Sequence, residues 1–372
     1  RALHRAFFDQ SADGCIQVFC AGVGQVGREF LGQWMKTRST FEAELGGEIK
    51  LVGLANSTSY LMDANGLEPD ANALKDSGRS RSASDATEVL RAFHALPGRR
   101  KIWVDNSAAD AVADAGVEAL KLGMGYVCSN KIAATRSLAD WNVLQASGAR
   151  FKNETNVGAA LPILHGLRSM LETGDRIKRI EAVLSGSVNY IFSSMDGGQN
   201  FSNAVRSAGQ KGYTEPDARI DLSGMDVARK ILILARMCGA EVTMEDVQVK
   251  GFLPEAAFAG DLNGFVAQLD ALGTAMDAQA AETRVAGKRL RFVASYSPET
   301  GCACELMALE PSHPFYALEG TDNAVSIHSE RYTDKPLVIQ GAGAGGALTA
   351  SGVLSDVYAV ARWMFTQNES AS

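Results

Sequence analysis

The chain has no apolar run long enough to span a bilayer, and no signal peptide is legible at its start. Its net charge of -7 comes with no block of Lys or Arg, since Arg99-Arg-Lys101 is too short to form an electrostatic footprint, so nucleic acid is not an expected partner. The six cysteines, Cys15, Cys20, Cys128, Cys238, Cys302 and Cys304, show neither the density of a disulfide scaffold nor a CxxC pair. Cys302-Ala-Cys304 alone is weak evidence for metal, and reduced thiols in a cytoplasmic protein are the expectation. The five histidines include no HExxH or other zinc spacing. What is present is a composition of 46% hydrophobic and 21% charged residues, which is that of a globular protein. At 372 residues it is long enough for two or more domains, or one large one.

The first motif lies near the start. An apolar strand over Cys15–Cys20 runs into Gly22-x-Gly24-x-x-Gly27 and then into a helical pattern. Gly22 suits a tight turn, Gly24 lets backbone approach a pyrophosphate, and Gly27 lets the helix pack close to its strand. The helix N-terminus offers free N–H groups to phosphates. A lone GxGxxG is weak, and a Gly-rich turn without ligand is the alternative. Strand before and helix after supply the context that the fingerprint requires. Gly22, Val23, Gly24, Gln25, Val26 and Gly27 are therefore candidate cofactor contacts in an α/β, Rossmann-type domain.

Ile49–Ala55 reads as the next strand, and it ends in Asn56, Ser57 and Thr58 where a NAD site usually carries an acid for the ribose hydroxyls. Without that acid nothing repels a 2′-phosphate, so NADP is favoured over NAD, although no Arg stands immediately alongside. Ile102–Asp105 and Tyr126–Cys128 are further strands, ending in Asn106-Ser107-Ala108 and Ser129-Asn-Lys131. Ligands in such sheets bind beyond the carboxyl ends of the strands, which places Ser107 and Lys131 near a cofactor; ordinary polar loops are the alternative for each.

After residue 150 the alternating rhythm changes. Phe151–Pro162 reads as a strand ending in small residues, followed by a helix through Arg168. Ile177–Leu184, Phe292–Tyr296, Leu306–Leu309 and Leu337–Ile339 read as strands, and 222–238 as a strong helix. Gln340-Gly-Ala-Gly-Ala-Gly-Gly346 then leads into a helical pattern over Leu348–Phe365, with Gly345 a candidate cofactor neighbour. The expected organisation is a dinucleotide domain over 1–150, an α+β catalytic and dimerisation domain over 151–339, and a segment over 340–372 whose helix returns to the first domain.

The segment Gly212-Tyr-Thr-Glu-Pro-Asp-Ala-Arg-Ile-Asp-Leu-Ser-Gly-Met-Asp-Val-Ala-Arg-Lys230 gathers four acids and a lysine ahead of Ile231-Leu-Ile-Leu234. On a helix, Asp226 and Lys230 share one face, one turn apart. A surface ion pair is the plain reading of that spacing. The apolar run after Lys230 argues for more, because unpaired charge is not drawn into such surroundings.

Together with Glu154-Thr-Asn-Val-Gly158, Leu184-Ser-Gly-Ser187 and Ser129-Asn-Lys131, this segment resembles homoserine dehydrogenase, and the resemblance covers nearly the whole chain. It is most similar to the dehydrogenase half of the bifunctional aspartokinase–homoserine dehydrogenases, with Ala2–Phe8 as a helical lead-in from an N-terminal aspartokinase. The resemblance implies reversible, NAD(P)-dependent interconversion of L-homoserine and L-aspartate 4-semialdehyde, on the route to threonine and methionine. It implies Lys230 as proton donor, Glu215 and Asp226 as the substrate's anionic grip, and Lys131 beside substrate and nicotinamide. Ser107 and Gly345 match cofactor contacts. Glu154, Val157, Ala159 and Leu161 match a sodium or potassium site made largely of carbonyls, and a homodimer or tetramer is implied. A partly desolvated lysine near another cation would have a lowered pKa suited to this work, and Asp217 and Asp221 read as turn and helix-cap residues.

Three departures stand out. Ala218 and Ile220 replace the Pro and Asp common in relatives, and Ala160 replaces a Gly in the cation motif, which matters only if the backbone there needs positive φ. Two alternatives remain open. One is a related aldehyde dehydrogenase such as aspartate-semialdehyde dehydrogenase, which needs a nucleophilic Cys beside a His. The other is a catalytically inactive nucleotide-sensing domain of a fused aspartokinase.

Overall fold

Parallel pairing of short, largely buried strands organises the first half of the chain. The computed structural model describes residues 15–77, 79–80 and 86–367, so the lead-in at Ala2–Phe8 lies outside the described residues. Two compact units are present, one running to Asn156 and resuming at Gly345, the other spanning Val157–Ala344.

The first unit contains β1 (Cys15–Ala21), β2 (Glu48–Ala55), β3 (Ser59–Met62), β4 (Arg79–Ser80), β5 (Arg100–Asp105), β6 (Gly125–Cys128) and β7 (Phe151–Lys152) in the order β4-β3-β2-β1-β5-β6-β7. The pairs joining β2, β1, β5, β6 and β7 are parallel. Strands covered on both faces read as continuous apolar runs, which is why β1 and β5 show no alternation. On one face the helices Gln25–Leu45 and Gly346–Thr366 share a core of Phe30, Trp34, Val353, Val357 and Val360, with Phe41 and Tyr358 stacked at 3.8 Å. The C-terminal helix thus returns to the first unit. Elsewhere in the sheet Phe19 stacks on Trp103 at 4.7 Å and packs against Phe93.

The second unit has a six-stranded sheet in the order β13-β12-β8-β10-β11-β9, from β8 (Ile177–Val183), β9 (Gln248–Val249), β10 (Arg289–Ser297), β11 (Gly301–Leu309), β12 (Asp322–Ser329) and β13 (Leu337–Ala342). Its central pairs are antiparallel. Helices Gly186–Asp196, Met225–Met237 and Leu262–Val285 pack on the sheet. Phe315 and Leu318, from the β11–β12 connection, join Val183, Val293 and Ala324 in a separate core. Arg291, fully buried, donates to Asp196 and to the Leu318 carbonyl, both at 2.7 Å, and so anchors that connection.

Two elements differ from expectation. Only Phe151 and Lys152 of the expected 151–162 strand pair; Glu154–Asn156 form a 3-10 turn and Gly158 and Ala159 take φ of +78° and +52°. Asn156 explains the break, because its side-chain amide donates to the Cys128 and Asn130 carbonyls and pulls the backbone away from β6. The expected helix 222–238 is two helices, Arg219–Leu222 and Met225–Met237, separated at Gly224, whose φ of +73° is left-handed. Among the described residues no helix is long and apolar enough to cross a membrane.

Candidate functional site

In the first unit the glycine loop is fixed by close approach. Gly22 has φ +98°, and a Cβ there would lie 2.6 Å from the Asn106 carbonyl carbon; a Cβ on Gly27 would lie 2.0 Å from the Gly22 oxygen. Nothing lies within 4 Å of where a Gly24 Cβ would stand, and that side opens into a cavity of about 430 Å³. Gly22, Val23, Gly24 and Ser107 line this cavity with Asn56 and Ser57, while Gln25, Val26, Gly27, Lys131 and Gly345 do not. Gly345 is the N-cap of the returning helix at φ +126°, and the next residue, Gly346, lies so near Gln25 that a Cβ would sit 2.7 Å from its side chain.

Arg28 and Lys75 line the same cavity, which the sequence reading missed when it found no Arg beside Asn56 and Ser57. Arg28 stands in the first turn of the helix after the glycine loop and donates from Nε to the Val23 carbonyl at 3.3 Å. The Asn56 side chain accepts from the Thr58 and Ser59 amides at 2.8 and 2.7 Å, an Asx turn that fixes the end of β2. Among the described residues the ionisable side chains lining the cavity are thus cationic, where the sequence predicts only the lack of an acid.

Beneath it lies Asp105, at the end of β5 and fully buried. Its Oδ1 accepts from the Ser107 amide at 2.9 Å and the Ser107 hydroxyl at 2.7 Å; its Oδ2 accepts from Asn130 Nδ2 at 3.0 Å and, at 3.4 Å, from the Tyr126 hydroxyl. Lys131, half-buried, follows Asn130 and caps the short helix Ile132–Thr135.

In the second unit, Lys230 lies on the Met225–Met237 helix and is 9% exposed. Its Nζ pairs with Asp226 Oδ2 at 2.7 Å and donates to the Leu184 carbonyl at 2.7 Å. The charged neighbour it acquires in this unit is thus a carboxylate, whereas the sequence reading had invoked another cation. Asp226 occupies the helix's first turn, where the dipole favours negative charge, and remains open to solvent. Glu215 is exposed, but its backbone N–H donates to Asp221 Oδ2 at 2.9 Å, and Asp221 Oδ1 accepts from the Ser187 hydroxyl at 2.7 Å. Asp221 is consequently a tie between the Glu215 loop and the Leu184-Ser-Gly-Ser187 turn rather than a cap. Asp217 pairs with Arg219 at 2.6 Å and accepts its amide, as a turn residue does. Ile220, one of the departures, is solvent-exposed.

Glu154 ends in the first unit and donates its N–H to Asp356 at 2.9 Å. Val157, Ala159 and Leu161 begin the second unit. Val157 and Ala159 are buried and, among the described residues, their carbonyls accept no hydrogen bond, while the Leu161 carbonyl accepts from Ile163 at 2.7 Å. Positive φ falls on Gly158 and Ala159, not on Ala160, so the replacement at 160 is free of backbone strain. Among the described residues no cluster of His, Cys, Asp and Glu could hold a metal.

Burial pushes every thiol up: Cys15 to about 11, Cys20, Cys238, Cys302 and Cys304 to about 12, and Cys128 well above its usual value. Burial thus disfavours the thiolate at all six, against what the nucleophilic Cys of the aldehyde dehydrogenase alternative requires.

Residues 162–358 match the family model described as homoserine dehydrogenase. The chain is 36% identical to a bifunctional aspartokinase/homoserine dehydrogenase of Haemophilus influenzae over 96% of its own length and 44% of that protein's. It is 33% identical to homoserine dehydrogenase of Schizosaccharomyces pombe, over 92% of this chain and 94% of that one. The fold matches that of a hyperthermophilic archaeal homoserine dehydrogenase solved in complex with NADPH, with a TM-score of 0.69 and 23% identity over 92% of this chain and 96% of that one. The chain spans less than half the length of the bifunctional relatives.

Proposed function

Because the chain belongs to the homoserine dehydrogenase family, we propose that it interconverts L-homoserine and L-aspartate 4-semialdehyde with a nicotinamide cofactor. The observation that carries the reading is Lys230. Its ammonium has three N–H donors, of which Asp226 and the Leu184 carbonyl take two. The third is uncommitted among the described residues and is available to a substrate oxygen. In the reducing direction Lys230 gives a proton to the aldehyde oxygen as hydride arrives at the carbonyl carbon; in the oxidising direction the neutral amine takes the hydroxyl proton. Hydride exchange itself is the nicotinamide's contribution. Glu215 and Asp226 attract the substrate ammonium. Lys131, in the other unit, is the second candidate for proton transfer.

NADP is the cofactor this cavity suits. Arg28 and Lys75 beside Asn56 and Ser57 supply positive charge at the end of β2, where a 2′-phosphate would lie, and among the described residues no carboxylate lines the cavity to repel it. The archaeal structure's NADPH agrees with this class of ligand. The buried carbonyls of Val157 and Ala159, which among the described residues accept no hydrogen bond, support a monovalent-cation site in the second unit, with Leu161 as a further ligand. Assembly as a homodimer or tetramer through the second unit is supported by the edge strand β13, where Val338 is 40% exposed. The bifunctional relatives support fusion to an N-terminal aspartokinase. The deciding assay follows nicotinamide absorbance with L-homoserine, comparing NADP and NAD and repeating with Lys230→Ala. No homoserine-dependent reduction of either cofactor would return the protein to the inactive, nucleotide-sensing alternative.

A further inference from the structure

Four donors converge on the two oxygens of Asp105: the Ser107 amide, the Ser107 hydroxyl, the Asn130 amide and the Tyr126 hydroxyl. All are neutral, so among the described residues the carboxylate is buried without a cationic partner, an arrangement that costs stability and that a fold does not need at a strand end. Its effect is local. The Ser107 hydroxyl also accepts from the Ala109 amide at 3.2 Å, and Asn130 also donates to the Ala109 carbonyl at 3.2 Å and accepts from the Ile132 amide at 3.1 Å. Asp105 therefore joins two loops, the one that presents Ser107 to the cavity and the one that carries Lys131. A proton added to the carboxylate would meet donors on every side, and at least one of these bonds would have to break or reverse.

We propose that Asp105 is a positioning residue whose ionised carboxylate presets the Ser107 and Asn130–Lys131 loops for the dinucleotide, so that cofactor affinity falls when this carboxylate takes a proton. The inference rests on the reading of the cavity as the cofactor site. Burial, the largest effect, pushes the carboxyl up to about 6 against the four hydrogen bonds that hold it down. The other titratable groups facing it are Cys20 on β1 and Tyr126 and Cys128 on β6. Burial raises all three, Cys20 to about 12, so none changes charge between pH 5 and 8. One unit below its midpoint only about a tenth of Asp105 is ionised, and the apparent Kd of a ligand that requires that form rises roughly tenfold.

The test is titration calorimetry of the unmodified chain with NADP+ between pH 5 and 8. NAD+ is run in parallel because the 2′-phosphate titrates in the same range. Both dinucleotides should weaken about tenfold toward pH 5 with a common midpoint about 6. Ser107→Ala removes a donor that stabilises the charge, and its midpoint should move to higher pH. Asp105→Asn places an N–H against Asn130; it should bind weakly at pH 7.5 and show no such midpoint. A flat NAD+ profile in the unmodified chain, or wild-type affinity in Asp105→Asn at pH 7.5, overturns the proposal. Failure of both dinucleotides to bind at any pH also removes the assignment of the cavity.

Discussion

Asp226 and Lys230, one turn apart, are joined by an ion pair of 2.7 Å whose two ends live in different surroundings. The lysine is buried on a helix where Val227, Ile231 and Leu234 are buried too, and its amine is held from across the unit by the Leu184 carbonyl, whereas the carboxylate faces solvent. An exposed pair at this spacing contributes only about 0.3–0.5 kcal/mol. Here the pair has a second consequence, because it fixes which way the remaining N–H of Lys230 points.

Removing that amine should abolish proton transfer without unfolding the protein. Lys230→Ala is expected to lower kcat by a factor on the order of 10²–10⁴. It leaves the Leu184 carbonyl without its donor, which costs about 1–3 kcal/mol of stability. Lys230→Arg keeps the charge but cannot release a proton, so its kcat should fall comparably. Stopped assays alongside circular dichroism separate the two effects; an Arg variant with near-wild-type kcat would assign the proton to another group, Lys131 being the first to examine.

Charge at the end of β2 should decide the cofactor. If Arg28 and Lys75 meet a 2′-phosphate, each forms a charge-assisted hydrogen bond worth about 1.5–3 kcal/mol. Arg28→Ala or Lys75→Ala should then raise KM for NADP roughly tenfold or more and leave KM for NAD nearly unchanged. Equal losses with both cofactors would show that these side chains contact the shared part of the dinucleotide, or none of it.

These residues also mark where the sequence stopped being informative. Gly22, Gly24 and Gly27 were legible because their constraint is local: a turn and a close helix approach demand glycine whatever the rest of the chain does. Asp226 and Lys230 were legible because helical period places them together. Arg28 was not, since it is an ordinary helix-surface residue until β1 and β2 pair in parallel and bring residue 56 alongside. Asp221 was misread because its partners, Ser187 and Glu215, meet only in three dimensions. The long helix Leu262–Val285 escaped notice because Ala and Gly fill much of it, and only Phe265, Leu269, Gly273, Met276 and Thr283 mark its buried stripe.

The tie at Asp221 makes its own prediction. Asp221→Ala releases the Glu215 amide and the Ser187 hydroxyl together. Glu215 then loses its fixed position while Lys230 keeps both partners. KM for homoserine should rise by roughly an order of magnitude, corresponding to about 1.4 kcal/mol, with a smaller change in kcat. A selective loss of kcat would instead place Asp221 in the proton path.

Stability against pH gives an independent reading of Asp105. Its folded-state pKa of about 6 lies above the ordinary carboxylate value of 3.8. The folded state therefore binds the proton more tightly than the unfolded chain, so this residue's contribution is present in acid and is lost as pH rises through the interval between those two values. A shift of that size corresponds to ~3 kcal/mol. Asp105→Asn cannot ionise, so its stability relative to the unmodified protein should improve by most of that amount between pH 4 and pH 7, whatever constant penalty the new amide carries. Urea unfolding of both proteins at the two pH values measures the difference directly. Parallel pH profiles would mean that the carboxylate titrates as it does in the unfolded chain, and a buried, ionised Asp105 would then carry no energetic sign of having been retained for the cofactor.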